Sequence, residues 1–378
     1  MKILFFLIFI FLIFEINGSP IKDYKIEKKN MDERKLLNNN NIVHFIKCEN
    51  GDSILIESKG KYGLIDSSNP FKYIKNEVEP VQIDELKGER HQWSSNPDES
   101  VQTVINYLDN LEITRLDFII GTYPNSGHIG GIPAIAYKFG DNSTKYYYRK
   151  YRETLEDNSQ IELANYKYYL AAIHSMEIKG AELIDVTNKN ITFNFNDFTL
   201  ELLNTYIESD ELSLEENQNS IVVLLKYKDS KLLLVGDMTK ESDKTIKDNI
   251  GKIDILKLSH KGYCKLSYEF LLKTKPNYII ISNTHIKQYT NQLIIYIKNK
   301  INSKIYLTEN ISGNSKNIEN SAIKLNFNEE KNFNFINTGE EVIPDKNGYG
   351  WYSWCDKWTY LENGKAIKGW KKIKLVLF

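Results

Sequence analysis

The sequence predicts an α/β domain, two sheets laid back to back with helices outside, followed by a short C-terminal β-hairpin module. Three observations carry this. Short apolar runs punctuated by Gly51-Asp52 and Gly60 read as hairpin strands at the start of the domain. Further on, continuous apolar runs alternate with helical segments, the pattern of strands covered on both faces. Near Asp345 the composition shifts, and four of the five tryptophans fall between Trp351 and Trp370. Periodicity alone leaves a doubly wound sheet open as the alternative.

Taken in order, Lys2 precedes an apolar run from Ile3 to Phe14 that gives way to Gly18 and Ser19. A charged start, a short apolar core and small residues at the cut mark residues 1–18 as a secretory signal. The run falls short of the roughly 20 apolar residues that span a bilayer. Residues 19–41, ending in Asn38-Asn39-Asn40-Asn41, read as a flexible leader. The expected location is therefore extracellular, free or at the cell surface. The main domain is expected over residues 42–340, beginning with strands at 42–47, 53–57 and 62–65. Val101, Val104, Ile105 and Leu108 recur at helical spacing, and Leu116–Ile120 is a buried strand that stops at Gly121-Thr122. A helix is expected over 161–173, then strands at 192–195, 198–203, 220–226 and 231–235. From there helices at 240–248, 267–272 and 288–298 alternate with strands at 253–258, 278–282 and 304–307.

The 49 basic and 50 acidic side chains nearly cancel, so there is no electrostatic footprint for nucleic acid or an anionic membrane. Hydrophobic residues at 41% support a full core. Cys48, Cys264 and Cys355 have no metal-knuckle spacing and read as small buried hydrophobes or one chance disulfide. Asn142, Asn190 and Asn310 head Asn-x-Ser/Thr triplets, which matter only in a glycosylating host.

The segment Leu116-Asp117-Phe118-Ile119-Ile120-Gly121-Thr122-Tyr123-Pro124-Asn125-Ser126-Gly127-His128-Ile129-Gly130-Gly131 runs from a buried strand into a polar loop ending in histidine and two glycines. It resembles the metallo-β-lactamase superfamily, especially the hydrolase domain of ComEC-type competence proteins, whose loop reads Thr/Ser-His-x-His/Asp-x-Asp-His-x-Gly-Gly. Other stretches fall in that family's order: Gly51-Asp52-Ser53-Ile54-Leu55-Ile56, Leu64-Ile65-Asp66-Ser67, Asn217-Gln218-Asn219-Ser220, Leu232-Leu233-Leu234-Val235-Gly236-Asp237 and Leu256-Lys257-Leu258-Ser259-His260-Lys261-Gly262. The resemblance covers about residues 42 to 330. It implies a four-layer αββα sandwich and a metal-dependent hydrolase of the phosphodiester or ester class.

On that loop Tyr123 stands where the first histidine should be, Asn125 replaces the second ligand, Gly127 replaces the aspartate, and His128 remains. Asp237 and His260 match the later ligands. Three of four loop ligands are replaced, so the usual metal pair cannot form, while His128, Asp237 and His260 could hold one zinc, manganese or ferrous ion. Asp237 and His128 are then the catalytic candidates. Three outcomes follow from the ligand count: a binding protein with little or no metal, a mononuclear hydrolase on His128, Asp237 and His260, or a rearranged site recruiting Tyr123, Asp66 or His285. Read without the family, Asp237 caps the following helix and His128 bonds within a glycine turn. His44, His91 and His174 carry no site expectation.

In the tail, Trp358-Thr359-Tyr360-Leu361, then Asn363-Gly364, then Gly369-Trp370 resembles the choline-binding, cell-wall-binding repeat of secreted bacterial proteins. Residues 345–378 form the expected module, with Trp351, Trp358, Tyr360 and Trp370 as candidate contacts for a choline-bearing or glycan wall polymer through cation–π attraction. About one and a half repeats are present, where repeat arrays usually need three or more.

Overall fold

The computed structural model describes residues 40–48, 51–69, 100–151, 160–206, 216–258, 266–282, 297–298, 300–311, 320–330, 332–342, 350–354, 357–362 and 365–366. The expected signal and nearly all of the leader, residues 1–39, lie outside them. Three antiparallel strands, β1 (Asn41–Ile46), β2 (Ile54–Ser58) and β3 (Lys61–Ile65), open the fold. Strand β1 thus starts at the last residue of the expected leader. Helix α1 (Ser100–Asn110) follows, and β4 (Phe118–Ile120) lies parallel to β3. Two short helices, α2 (Ser126–Ile129) and α3 (Ile132–Phe139), lead to β5 (Lys145–Tyr148), and α4 (Gln160–Ile178) leads to β6 (Glu182–Asp185). These two strands extend the parallel side of the same sheet.

A second sheet begins with the antiparallel strands β7 (Ile191–Phe195), β8 (Phe198–Leu203), β9 (Val222–Tyr227) and β10 (Ser230–Leu234). Parallel strands β11 (Ile255–Lys257), β12 (Tyr278–Ile281) and β13 (Lys304–Leu307) continue it, with α5 (Lys240–Ile250) and α6 (Tyr268–Thr274) in the connections. The chain then returns to the first sheet as β14 (Ala322–Asn328), which pairs with β1, and β15 (Asn332–Asn337). The sheets have the orders β15-β14-β1-β2-β3-β4-β5-β6 and β13-β12-β11-β10-β9-β8-β7.

Burial shows how the layers stack. Along β1, Val43 and Phe45 face one side, His44 and Ile46 the other. Val43, Phe45, Ile54, Ile56 and Phe118 of the first sheet pack with Phe198, Leu200, Leu225, Leu232 and Ile280 of the second in one dry interior. On the first sheet's outer face, Ile46, Leu55 and Leu64 pack with Val101, Val104, Ile105 and Leu108 of α1, Ile135 of α3 and Met176 of α4. On the second sheet's outer face, Leu224, Leu233 and Leu256 pack with Ile246 of α5 and Phe270 of α6. Helix, sheet, sheet, helix is the four-layer αββα sandwich. The doubly wound alternative fails because it would place one sheet, not two, between the helices.

Strand β6, helix α3 and the return strands β14 and β15 are additions to the sequence expectation; β5 takes up the Tyr146-Tyr147-Tyr148 run, which the sequence reads as sheet packing, and α4 runs past the expected 161–173 at both ends. Of the helix expected over 288–298, only residues 297 and 298 are described, and they are helical. The tail forms its own small sheet of β16 (Gly350–Trp354), β17 (Lys357–Glu362) and β18 (Lys365–Ala366). Its register sets Trp351 opposite Tyr360 and Ser353 opposite Trp358. Trp370 lies outside the described residues. No helix among the described residues is long and apolar enough to cross a membrane.

Candidate functional site

Parallel pairing of β3 with β4 fixes the site. Both strands end at the same level, Ile65 opposite Ile120, so Asp66 and Thr122 emerge side by side. Asp66 takes the left-handed conformation, φ 58°, which Asp tolerates better than most residues. Its backbone N–H donates to Ile120 O at 2.9 Å. One carboxylate oxygen accepts the Thr122 N–H at 2.8 Å, and the other accepts the Thr122 hydroxyl at 2.8 Å.

Helix α2 is a single turn that brings the chain back across the end of β3. Asn125 caps it, its side chain accepting the Gly127 N–H at 2.9 Å. His128 is pinned twice: its carbonyl accepts the Ser67 N–H at 2.7 Å, and its Nδ1 bonds Asp66 Oδ2 at 2.6 Å. The other ring nitrogen, Nε2, lies 3.4 Å from Asp237 Oδ2. Asp237 follows β10 through Gly236, whose φ of 52° turns the chain tightly against Thr122 and Ser220. The same Asp237 oxygen accepts the Tyr123 hydroxyl at 2.7 Å. The Tyr123 ring leans on the His128 ring, with centroids 4.5 Å apart.

The result is a buried chain, Thr122–Asp66–His128–Asp237–Tyr123, in which no charged member is more than 7% exposed. Burial pulls the His128 pKa down, but the charges of Asp66 and Asp237 and the hydrogen bonds to both outweigh it and push the imidazole up to about 10. Burial first, then the Asp237 carboxylate, drives the Tyr123 phenol well above its ordinary range, so it keeps its proton. Without a cation the site therefore holds a charged imidazolium between two carboxylates.

A pH dependence follows. The folded pKa of His128 lies above its unfolded value of 6.5. This group's contribution to stability is fully present below pH 6.5, declines above it, and is gone once the pH passes about 10. Urea unfolding of chelator-treated protein should lose up to about 1.4 kcal/mol per pH unit across that window. His128→Gln should flatten the dependence; an unchanged slope would show that the imidazolium does not set it.

Beside this chain stands a second buried pair. Gly51 and Asp52 lie against the α2 turn, where the Asp52 N–H donates to Gly127 O at 3.0 Å. A Cβ on Gly51 would come within 2.1 Å of that oxygen, at a φ of 107°, so only glycine fits. Asp52 Oδ2 accepts from the ammonium of Lys257 in β11. This ion pair joins the two sheets, with Lys257 1% and Asp52 3% exposed. Asp52, Asp66 and His128 each offer a ligand atom within 4.8 Å of the others, a possible metal site.

Among the described residues, Asp52, Asp66 and His128 are the group that could hold a cation. At the loop positions where the resemblance expects further ligands, Tyr123 bonds Asp237, Asn125 caps α2 and residue 127 is glycine. Of the three sequence-predicted ligands, His128 and Asp237 come together and His260 lies outside the described residues, as do Lys261, His91 and His285. Asp237 does not cap α5: the N-cap is Thr239, without a side-chain cap bond, and the Asp237 carboxylate turns to Tyr123 and His128. His128 bonds to carboxylates rather than within the glycine turn. His44 is buried between Tyr107 and Glu57, and His174 pairs with Glu177 on the surface of α4. Asp52 and Lys257 were missed. Their signal was a lysine inside an otherwise apolar strand, which demands a buried acid.

No protein-family model matches the chain, and no curated protein matches it. Solved structures do. The chain is 13% identical to Igni18, a metallo hydrolase from Ignicoccus hospitalis, over 76% of this chain and 100% of that one, with a TM-score of 0.42. It is 12% identical to the metallo-β-lactamase-fold protein YhfI from Bacillus subtilis, over 70% and 95%, with a TM-score of 0.41. Against a mutant of the CmlA β-hydroxylase it is 9% identical over 64% of this chain, spans 45% of that chain, and has a TM-score of 0.37. The sandwich itself is established by the sheet orders and the layered core described above. Metallo-β-lactamase-fold hydrolases are thus among this chain's structural neighbours.

Proposed function

We propose that the chain is a secreted, hydrolase-like protein of the ComEC-like branch of the metallo-β-lactamase fold, with its metal chemistry reduced to one cation position. The observation that carries this is the 3.4 Å separation of His128 Nε2 and Asp237 Oδ2. Two ligands about 2.1 Å from one tetrahedral ion lie about 3.4 Å apart. Asp66 supports the same reading from behind. It accepts the Nδ1 proton, fixes the tautomer and aims Nε2 forward, as a carboxylate behind a metal-binding histidine does.

His128 and Asp237 would hold the ion, with His260 as the third ligand from the sequence motif. Bound there, a divalent ion polarises an ester or phosphodiester oxygen and acidifies a water. Tyr123 keeps a proton on its hydroxyl beside Asp237 Oδ2, and Tyr123, His128 and Asp237 are all buried from bulk water. The substrate class proposed is a phosphodiester or ester. Slow, Mn2+- or Zn2+-dependent cleavage of bis(p-nitrophenyl) phosphate should fall at least 100-fold in His128→Ala. Metal-stimulated cleavage that survives that change would defeat the proposal.

The tail supports a second role. Its register places positions 351, 358 and 360 on one face of the β16–β17 ladder. Retention on choline-bearing polymer, lost in Trp358→Ala, would support a wall-binding module; equal retention of wild type and variant would remove it.

A further inference from the structure

We propose that Asp52 is a cation-binding carboxylate of this site, supplying from the β1–β2 connection the acid that the loop lacks at Gly127. The inference rests on the one-cation reading above and names a residue that neither the loop motif nor the later motifs assign to it.

The backbone geometry gives the reason. Gly51 and Gly127 touch: a Cβ built on Gly127 would lie 3.4 Å from the Gly51 Cα, in ordinary contact. The Asp52 N–H is clamped to the Gly127 carbonyl at 3.0 Å, and the Asp52 carbonyl accepts the Ser68 N–H at 2.8 Å. A carboxylate leaving the chain at residue 52 therefore starts next to where one leaving at residue 127 would start.

The side chain then shows what it is for. Asp52 is 4% exposed in its side chain, and Lys257 takes Oδ2. Oδ1 is buried and has no hydrogen-bond partner among the described residues. A buried, unpartnered carboxylate oxygen is costly and rare, and an absent ion is one recognised explanation. Here it belongs to a residue that offers one carboxylate oxygen within 4.8 Å of a ligand atom of Asp66 and of one of His128. Two carboxylates with an imidazole suit manganese, ferrous iron or zinc.

A rival account makes the Asp52–Lys257 pair a structural tie between the sheets and nothing more. It predicts that Asp52→Asn changes stability and leaves ion affinity alone. The test is calorimetric titration of the full, chelator-stripped chain with Mn2+ alone. Wild type should bind one ion per chain, and Asp52→Asn should bind it at least tenfold more weakly. Because Asp52→Asn strands the Lys257 ammonium and can unfold the chain, the double variant Asp52→Asn/Lys257→Met is titrated alongside and should show the same loss. If wild type binds one ion and a folded variant binds it equally well, the assignment of Asp52 is overturned and the one-cation reading stands. If wild type binds none, both fall.

Discussion

Asp66→Ala should destabilise the protein by about 3–5 kcal/mol, the cost of removing one partner from a buried charged network. Asp66 is 1% exposed and serves three donors at once: the Thr122 N–H, the Thr122 hydroxyl and the His128 imidazole. Its loss strands a buried backbone N–H and leaves the imidazolium with Asp237 alone. Alanine also fits poorly at φ 58°. Asp66→Asn separates these effects, because asparagine tolerates that conformation and still offers an acceptor oxygen to Thr122. It should lose less than the alanine variant, and its loss should shrink as the pH rises and the imidazolium is no longer favoured. Urea unfolding of both variants at pH 6 and pH 9 reads this directly. A cost under about 1 kcal/mol for Asp66→Ala would mean that the network is not holding the strand ends.

Lys257→Met should cost a similar amount, about 3–5 kcal/mol, because it leaves the Asp52 carboxylate buried without a counter-charge. Its sign is informative in combination. The double variant Asp52→Asn/Lys257→Met removes both charges and should recover most of the loss, since replacing a whole buried pair is often close to neutral. A double-mutant cycle on unfolding free energies measures the coupling. Additive losses would show that the two side chains act independently, contrary to their contact.

Much of the fold was legible because its signals are local. The opening hairpins alternate and end in glycine, and β10, β11 and β12 are aliphatic runs too apolar for a half-exposed strand. Strand β5 was harder. Lys145-Tyr146-Tyr147-Tyr148 carries no aliphatic residue, yet Tyr146 is 1% exposed and packs against the helix layer while Tyr147 faces the other sheet. In β15, Asn332-Phe333-Asn334-Phe335-Ile336-Asn337 mixes three asparagines with three apolar residues at a sheet edge, where one neighbour and partial exposure leave little apolar signal. Helix α4 spreads its tyrosines and leucines around the whole circumference, so its ends had no stripe to mark them.

The site divided along the same line. His128 and Asp237 lie in short motifs and could be read from the chain. Asp66 was visible as the end of a strand, but its bond to His128 depends on β3 and β4 ending at one level. Asp52 and Lys257 are 205 residues apart. Neither has a local pattern that names the other, and only the packing of two sheets brings them together.

The account turns on a site that holds one cation. Native mass spectrometry of the full chain, reconstituted with excess Zn2+ or Mn2+ and exchanged into volatile buffer, counts the bound ions. One ion per chain, lost in His128→Ala, is the expected result. Two ions per chain would contradict the proposal, which puts Tyr123, Asn125 and Gly127 where the resemblance expects ligands for the second.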